Sequence, residues 1–177
     1  MDIDRLLRKR SEHDDFLAGH YSSPLPEEHR PGFHGVDYFP PDAAWELTGS
    51  YEPTPPRRIP VPSSIGIESS YTMLGVVALP IGNSDYRLTV LDDGDGGAFI
   101  PFRDGTSGVE TYAGGRYVGI DADAVGEISI DFNMAKNPWC VYDEDFTCPL
   151  PPKENWIEES ILAGEKMHVP PDRPNSG

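Results

Sequence analysis

From Trp45 onward, apolar residues recur at every second position in short runs, and each run is closed by glycine, proline, asparagine or aspartate. A period of two belongs to an extended chain whose side chains point alternately to two faces, so each run reads as a half-buried strand. Trp45, Leu47 and Tyr51 form the first, and Tyr71 to Leu79 a longer apolar one. The turn Gly82-Asn83-Ser84-Asp85 leads to a returning strand through Tyr86, Leu88 and Val90, as in a hairpin. Asp92-Asp93-Gly94-Asp95-Gly96-Gly97 turns the chain again, and strands are expected at Ala98 to Phe102, Arg116 to Ile120 and Glu127 to Phe132. Pro53 to Pro62 reads as a connector or a sheet edge, because proline donates nothing to a strand ladder. The predicted class is mainly β: an antiparallel β-sandwich or small barrel with an N-terminal helix.

Before the strands, residues 1–18 read as a helix. Asp2 and Asp4 suit its positive end, Gly19 can stop it, and Ile3, Leu6, Leu7 and Leu17 fall near one face. Arg5, Arg8, Lys9 and Arg10 are expected on the opposite, solvated face. Residues 22–42 carry Ser23-Pro24-Leu25-Pro26 and Tyr38-Phe39-Pro40-Pro41-Asp42, where prolines enforce extended turns and the aromatics pin the segment to the core. The organisation is thus an arm over 1–42, a β domain over 43–169 and a disordered tail over 170–177. A chain of 177 residues buries enough surface to fold without a disulfide or a metal.

Thirty acids against fourteen bases give a net charge of −16, spread along the chain. Such a surface repels a phosphate backbone and an anionic membrane, so neither nucleic acid nor membrane is an expected partner. No apolar run is long enough to span a bilayer, and Met1-Asp2-Ile3-Asp4 does not read as a signal peptide, so the expected location is the cytoplasm. Dispersed carboxylates match the solvation of salt-adapted proteins, in which counter-ions screen self-repulsion. A halophilic, archaeal cytoplasm is the expectation. It predicts that the melting temperature climbs as KCl is raised toward molar concentration; a flat profile would refute it.

The second half carries distinctive strings: Phe102-Arg103-Asp104-Gly105-Thr106-Ser107-Gly108, Glu110-Thr111-Tyr112-Ala113-Gly114-Gly115-Arg116-Tyr117, and Asp131-Phe132-Asn133. Asn137-Pro138-Trp139-Cys140-Val141-Tyr142, Cys148-Pro149-Leu150-Pro151-Pro152, Asn155 and Ala163-Gly164-Glu165-Lys166 follow in order. Together they closely resemble the bacterial and archaeal family DUF1684, a domain of unknown function, and the likeness covers most of the chain. The resemblance implies a shared fold and marks residues, but supplies no reaction. Trp156-Ile157-Glu158-Glu159 departs from it by being more acidic.

The residues at 102–117 form the densest polar constellation. Arg103 and Arg116 offer planar forks for a carboxylate or phosphate, while Thr106, Ser107 and Tyr112 add hydroxyls on glycine-shaped loops. With Asn133 fixing orientation, they define a candidate site for a small polar or anionic metabolite, and Tyr117, Trp139 and Tyr142 are candidate walls. A second reading is a hydrolase- or isomerase-type enzyme with Asp131 or Asp104 as acid–base, or Cys140 as nucleophile. A third is a protein-interaction domain that uses Cys148-Pro149-Leu150-Pro151-Pro152 as a docking edge. The structural alternatives are Arg103 paired with Asp104 or Asp131, and turn-forming roles for Asp131, Asn133, Asn155, Glu165 and Lys166. Cys140 and Cys148, with seven residues between them, lack the paired spacing and nearby histidines of a zinc site, and read as reduced cysteines in the core or lining a site. The Asp92 to Gly97 stretch lacks the glycine and acid positions of a calcium loop and reads as a hairpin turn. No metal site is predicted, and no motif names a cofactor.

Overall fold

In the computed structural model, which describes residues 1–169, helix α1 spans Ile3–Gly19. The Asp2 carboxylate caps it by accepting from the Arg5 amide at 3.0 Å. The buried face differs from the one expected: Leu6, Arg10 and Leu17 face inward, while Ile3 and Leu7 are exposed. Arg10 lies one turn after Leu6 and so shares its stripe. Its guanidinium donates to Phe39 O and Asn133 O, both at 3.0 Å, and lies over the Tyr38 ring. Arg10 therefore joins the helix to the arm and to the sheet instead of extending a solvated cationic face. The disordered tail predicted for 170–177 lies outside the described residues.

Six antiparallel strands follow: β1 Glu46–Pro62, β2 Glu68–Ile81, β3 Ser84–Asp92, β4 Ala98–Phe102, β5 Arg116–Ile120 and β6 Gly126–Asp131. They form one sheet in the order β5-β4-β3-β2-β1-β6, curled into a half-barrel. The mainly β expectation with an N-terminal helix holds. The proline-dense stretch is the distal half of β1. There β1 has β2 as its only strand partner, because β6 covers Glu46 to Tyr51 alone, so Pro53 to Pro60 face an edge where no donor is required, and Pro62 offers only its carbonyl, to Leu150 N. A register shift between Pro53 and Arg57, and another in β2 between Met73 and Gly75, bend this ribbon. A Cβ on Gly75 would lie 2.6 Å from the Tyr51 ring, so only glycine lets the bent strands approach. Gly82, at φ +59°, opens the two-residue turn between Ile81 and Ser84.

Leu79, Leu88, Val90, Ile100, Phe102, Val118, Ile130 and Phe132 alternate onto the inner face, with Phe102 and Phe132 edge to face at 5.0 Å. Two features close the curl. Beyond β6 the chain returns to β5, where Tyr117 and Lys136 exchange both backbone hydrogen bonds at 2.8 Å. Between β3 and β4 the ladder consists only of Leu91 with Phe99 and Asp92 with Ala98. The Asn155 side chain fills the remaining gap: its carbonyl accepts from Thr89 N at 2.7 Å, and its amide donates to Thr89 O and Pro101 O at 2.9 and 2.7 Å. Asn155 is thus a buried substitute for a strand residue, not an ordinary turn former. Among the described residues, no helix is long and apolar enough to cross a membrane.

Candidate functional site

The polar loop at 102–117 is a buried clasp. Arg116 starts β5 on the inner face and is fully buried. Its guanidinium donates to the carbonyls of Ala163, Glu165 and Ile161, and pairs with Asp104 at 3.4 Å. Burial pulls its pKa down and the Asp104 carboxylate acts to raise it. Asp104 accepts in addition from Thr106 Oγ1 at 2.9 Å, Ser107 Oγ at 3.2 Å and Ile161 N at 2.7 Å. Thr106 shares a further hydroxyl contact with Thr111 at 2.9 Å. Arg116 and Asp104 together strap the segment 161–165 across the core. Arg103 points elsewhere, stacked 4.7 Å over the Trp156 ring. The two arginines do not converge, and the predicted cradle of Arg103, Thr106, Ser107 and Arg116 is a structural device. The reason is steric: alternation along β5 turns Arg116 to the core face, and carbonyls of the returning chain meet it there.

Asn133 is likewise buried. Its side chain accepts from Asp42 N at 2.9 Å and donates to Asp42 O and Asp131 Oδ1 at 2.8 Å, tying the arm to the end of β6. The acid–base candidates are not brought together: Asp104 lies in the clasp, whereas Asp131 caps the turn after β6 and borders an open cleft. Glu165, read from sequence as an ordinary surface residue, is completely buried. It accepts from Asn137 N at 2.7 Å and Tyr142 Oη at 3.2 Å, and meets His13 Nε2 of α1 at 3.0 Å. Burial and the nearby Glu165 carboxylate push the Tyr142 and Tyr38 hydroxyls well above their ordinary pKa. The only available signal for Asn155 and Glu165 was their place in the strings that carry the family resemblance. The proposed docking edge Cys148 to Pro152 is fastened to the end of β1 through Leu150 N to Pro62 O at 2.7 Å and to the turn after it through Cys148 N to Ser64 Oγ at 3.0 Å.

The large concavity lies on the other side of the seam between β5 and β6. It is a cleft of about 990 Å³ walled by α1, the ends of β1 and β6, and the segment 134–149. Phe99, Tyr117 and Gly119, which alternate away from the core, line its sheet side; Tyr71, Trp139 and Phe146 line it as well. Trp139 and Phe146 brace each other edge to face at 5.2 Å. Arg5, Lys9 (paired with Glu12 at 2.8 Å) and Lys136 are the basic residues of its lining, beside Asp2, Glu46, Asp131 and the acidic turn of Asp92, Asp93 and Asp95. Most carboxylates here are engaged. Glu46 meets the N-terminal amine at 2.7 Å, Asp131 accepts from Asn133, and Asp93 accepts from Asp95 N and Gly97 N at 2.9 and 2.8 Å. Those last bonds make the 92–97 stretch the hairpin turn expected of it. The Lys136 ammonium has no hydrogen-bond or ion-pair partner among the described residues.

A smaller recess of about 490 Å³ is lined by Ser64, Ile65, Tyr112, Cys140, Val141, Glu144, Met167 and His168. Tyr112 and Cys140, two of the predicted site residues, meet there, with Cys140 Sγ 4.0 Å from the Tyr112 hydroxyl. Burial pulls the His168 imidazole below its ordinary pKa.

The fold and site define a class: a single-sheet, curled β protein with a helix-flanked cleft at its open seam and a free thiol pair beside it. The chain belongs to the family described as "Protein of unknown function (DUF1684)", whose model matches residues 31–166. Among solved structures it is similar to the solution NMR structure of an uncharacterized protein of Haloarcula marismortui. The two are 33% identical with a TM-score of 0.72, over 94% of this chain and 97% of that one. No curated protein matches the chain.

Proposed function

We propose that this protein is a small-ligand-binding domain, and that its site is the cleft at the β5–β6 seam in place of the arginine loop. The observation that carries the reading is the pairing of aromatic walls (Phe99, Tyr117, Trp139, Phe146) with Lys136, whose ammonium has no partner among the described residues. An aromatic-lined concavity of this size suits a metabolite-sized molecule, and a few convergent polar groups orient it. The ligand is a small metabolite with an apolar or ring-shaped body and an anionic group directed at Arg5, Lys9 and Lys136. Partly dehydrated aromatic walls strengthen that attraction relative to open water. A halophilic cytoplasm is the proposed setting, consistent with the dispersed charge of −16 and with the likeness to a Haloarcula protein.

The test is a thermal-shift screen in molar KCl against carboxylated, phosphorylated and sugar metabolites, on the native chain and on Lys136→Glu. Lys136 has an exposed side chain, so its replacement leaves the fold intact. A ligand at one hundred times its Kd adds about 2.7 kcal/mol, a shift of several degrees. The shift is expected for anionic compounds and is expected to vanish in Lys136→Glu. No shift with any compound, or one unchanged in the variant, would overturn the assignment.

A further inference from the structure

Cys140 and Cys148 are both free, and they stand on the wall between the two concavities: Cys140 lines the smaller recess and Cys148 the larger cleft. The chain between them leaves and returns so that Cys148 Sγ accepts from the Cys140 amide at 3.3 Å. Cys148 is held in place by its backbone, with its amide on Ser64 Oγ at 3.0 Å and its carbonyl accepting from Ser64 N at 2.9 Å. The cysteine that lines the smaller recess is Cys140, which is partly exposed, whereas Cys148 is buried. An outer thiol open to small molecules, backed by an inner thiol within reach, is the arrangement that thiol–disulfide exchange requires. We propose that this pair is a thiol–disulfide exchange site, with Cys140 as the attacking thiol, Cys148 as the resolving thiol and a low-molecular-weight disulfide as the oxidant.

The Cys140 thiolate attacks one sulfur of the small disulfide, whose S–S bond breaks and releases one thiolate, leaving a mixed disulfide on Cys140. Cys148 gives up its proton, attacks the Cys140 sulfur and expels the second small thiol. The protein pair is oxidised by two electrons, and one small disulfide becomes two thiols. A thiolate at Cys140 is favoured by its surroundings. The Cys148 S–H is the largest influence lowering its pKa to about 6, and the Ser64 and Tyr112 hydroxyls assist, while Cys148 is itself pushed upward. At pH 7 the thiolate fraction exceeds that of an ordinary thiol by a factor of tens, while the lower basicity makes each thiolate less nucleophilic. The population effect wins by several-fold. Closing the bond ties the segment 141–147, and with it Phe146, to one position on the wall of the cleft.

The experiment uses glutathione disulfide as the probe, with intact-mass and peptide mapping of the native chain, Cys140→Ser and Cys148→Ala. The native chain is expected to lose two hydrogens and link Cys140 to Cys148, without retaining glutathione. Cys148→Ala is expected to trap one glutathione on Cys140, and Cys140→Ser to stay unmodified. In parallel, iodoacetamide on the reduced native chain should label Cys140 several-fold faster than free cysteine at pH 7. That rate should rise with pH through about 6 and level off above 7, because the thiolate is then fully formed. In Cys148→Ala the rise moves toward the pH of an ordinary thiol. A native chain that forms no internal link, or that labels Cys148 first, overturns the proposal without reference to either variant. The ligand screen above is independent of this outcome.

Discussion

Replacing Arg116 with methionine should destabilise the domain by about 3–5 kcal/mol, the cost of leaving a buried charge without its partner. Three carbonyls of the segment 161–165 lose their donor at once, and Asp104 is left charged inside the protein. At roughly 2–4 °C per kcal/mol for a chain of this size, the melting temperature should fall by about 6–20 °C. Urea unfolding of Arg116→Met beside Asp104→Asn/Arg116→Met separates the two causes. Asparagine keeps an acceptor for the Ile161 amide but removes the stranded charge, so the double variant should recover part of the loss. If Arg116→Met costs less than about 1 kcal/mol, the clasp does not hold the C-terminal segment, and 161–165 is fastened by apolar packing alone.

The second large effect is expected at Asn155. Asn155→Ala strands Thr89 N, Thr89 O and Pro101 O where β3 and β4 do not pair, and each buried unsatisfied group costs about 1–3 kcal/mol. A loss of about 3 kcal/mol or more is expected, together with faster hydrogen exchange at Thr89. Asn155→Asp keeps the shape but cannot donate to the two carbonyls, so it should be as damaging as alanine near neutral pH. Recovery of stability by Asn155→Asp would show that side-chain volume, and not the paired donors, closes the gap. Asn155 is not itself part of the β5–β6 cleft lining.

Most of the architecture was legible because strand signals are local. Alternation at Tyr86, Leu88 and Val90, a glycine turn at Gly82 and an aspartate-glycine turn at 92–97 each read correctly over a few residues. The proline stretch of β1 was legible only as one of two options. Whether such a segment pairs depends on whether a neighbour demands its missing donors, and that is a property of the sheet order. The candidate site was less legible. Arginine, threonine and serine on glycine-rich loops look alike whether they face a ligand or a returning piece of their own chain. Here the carbonyl partners of Arg116 lie more than 40 residues away.

The sequence by itself determined the class of fold, the family and the charge environment, because period-two patterning, turn residues and titratable side chains act over short range or in sum. Only the tertiary structure decided which polar residues are spent on the fold and which remain available. It turned Arg10, Arg116, Asn133, Asn155 and Glu165 inward to satisfy backbone and arm groups, and left Lys136 exposed and Cys140 on the wall of a recess. The physical reason is desolvation. A buried polar group must find its partner somewhere in the chain, and where that partner lies is set by how the sheet curls, not by the residues on either side of it.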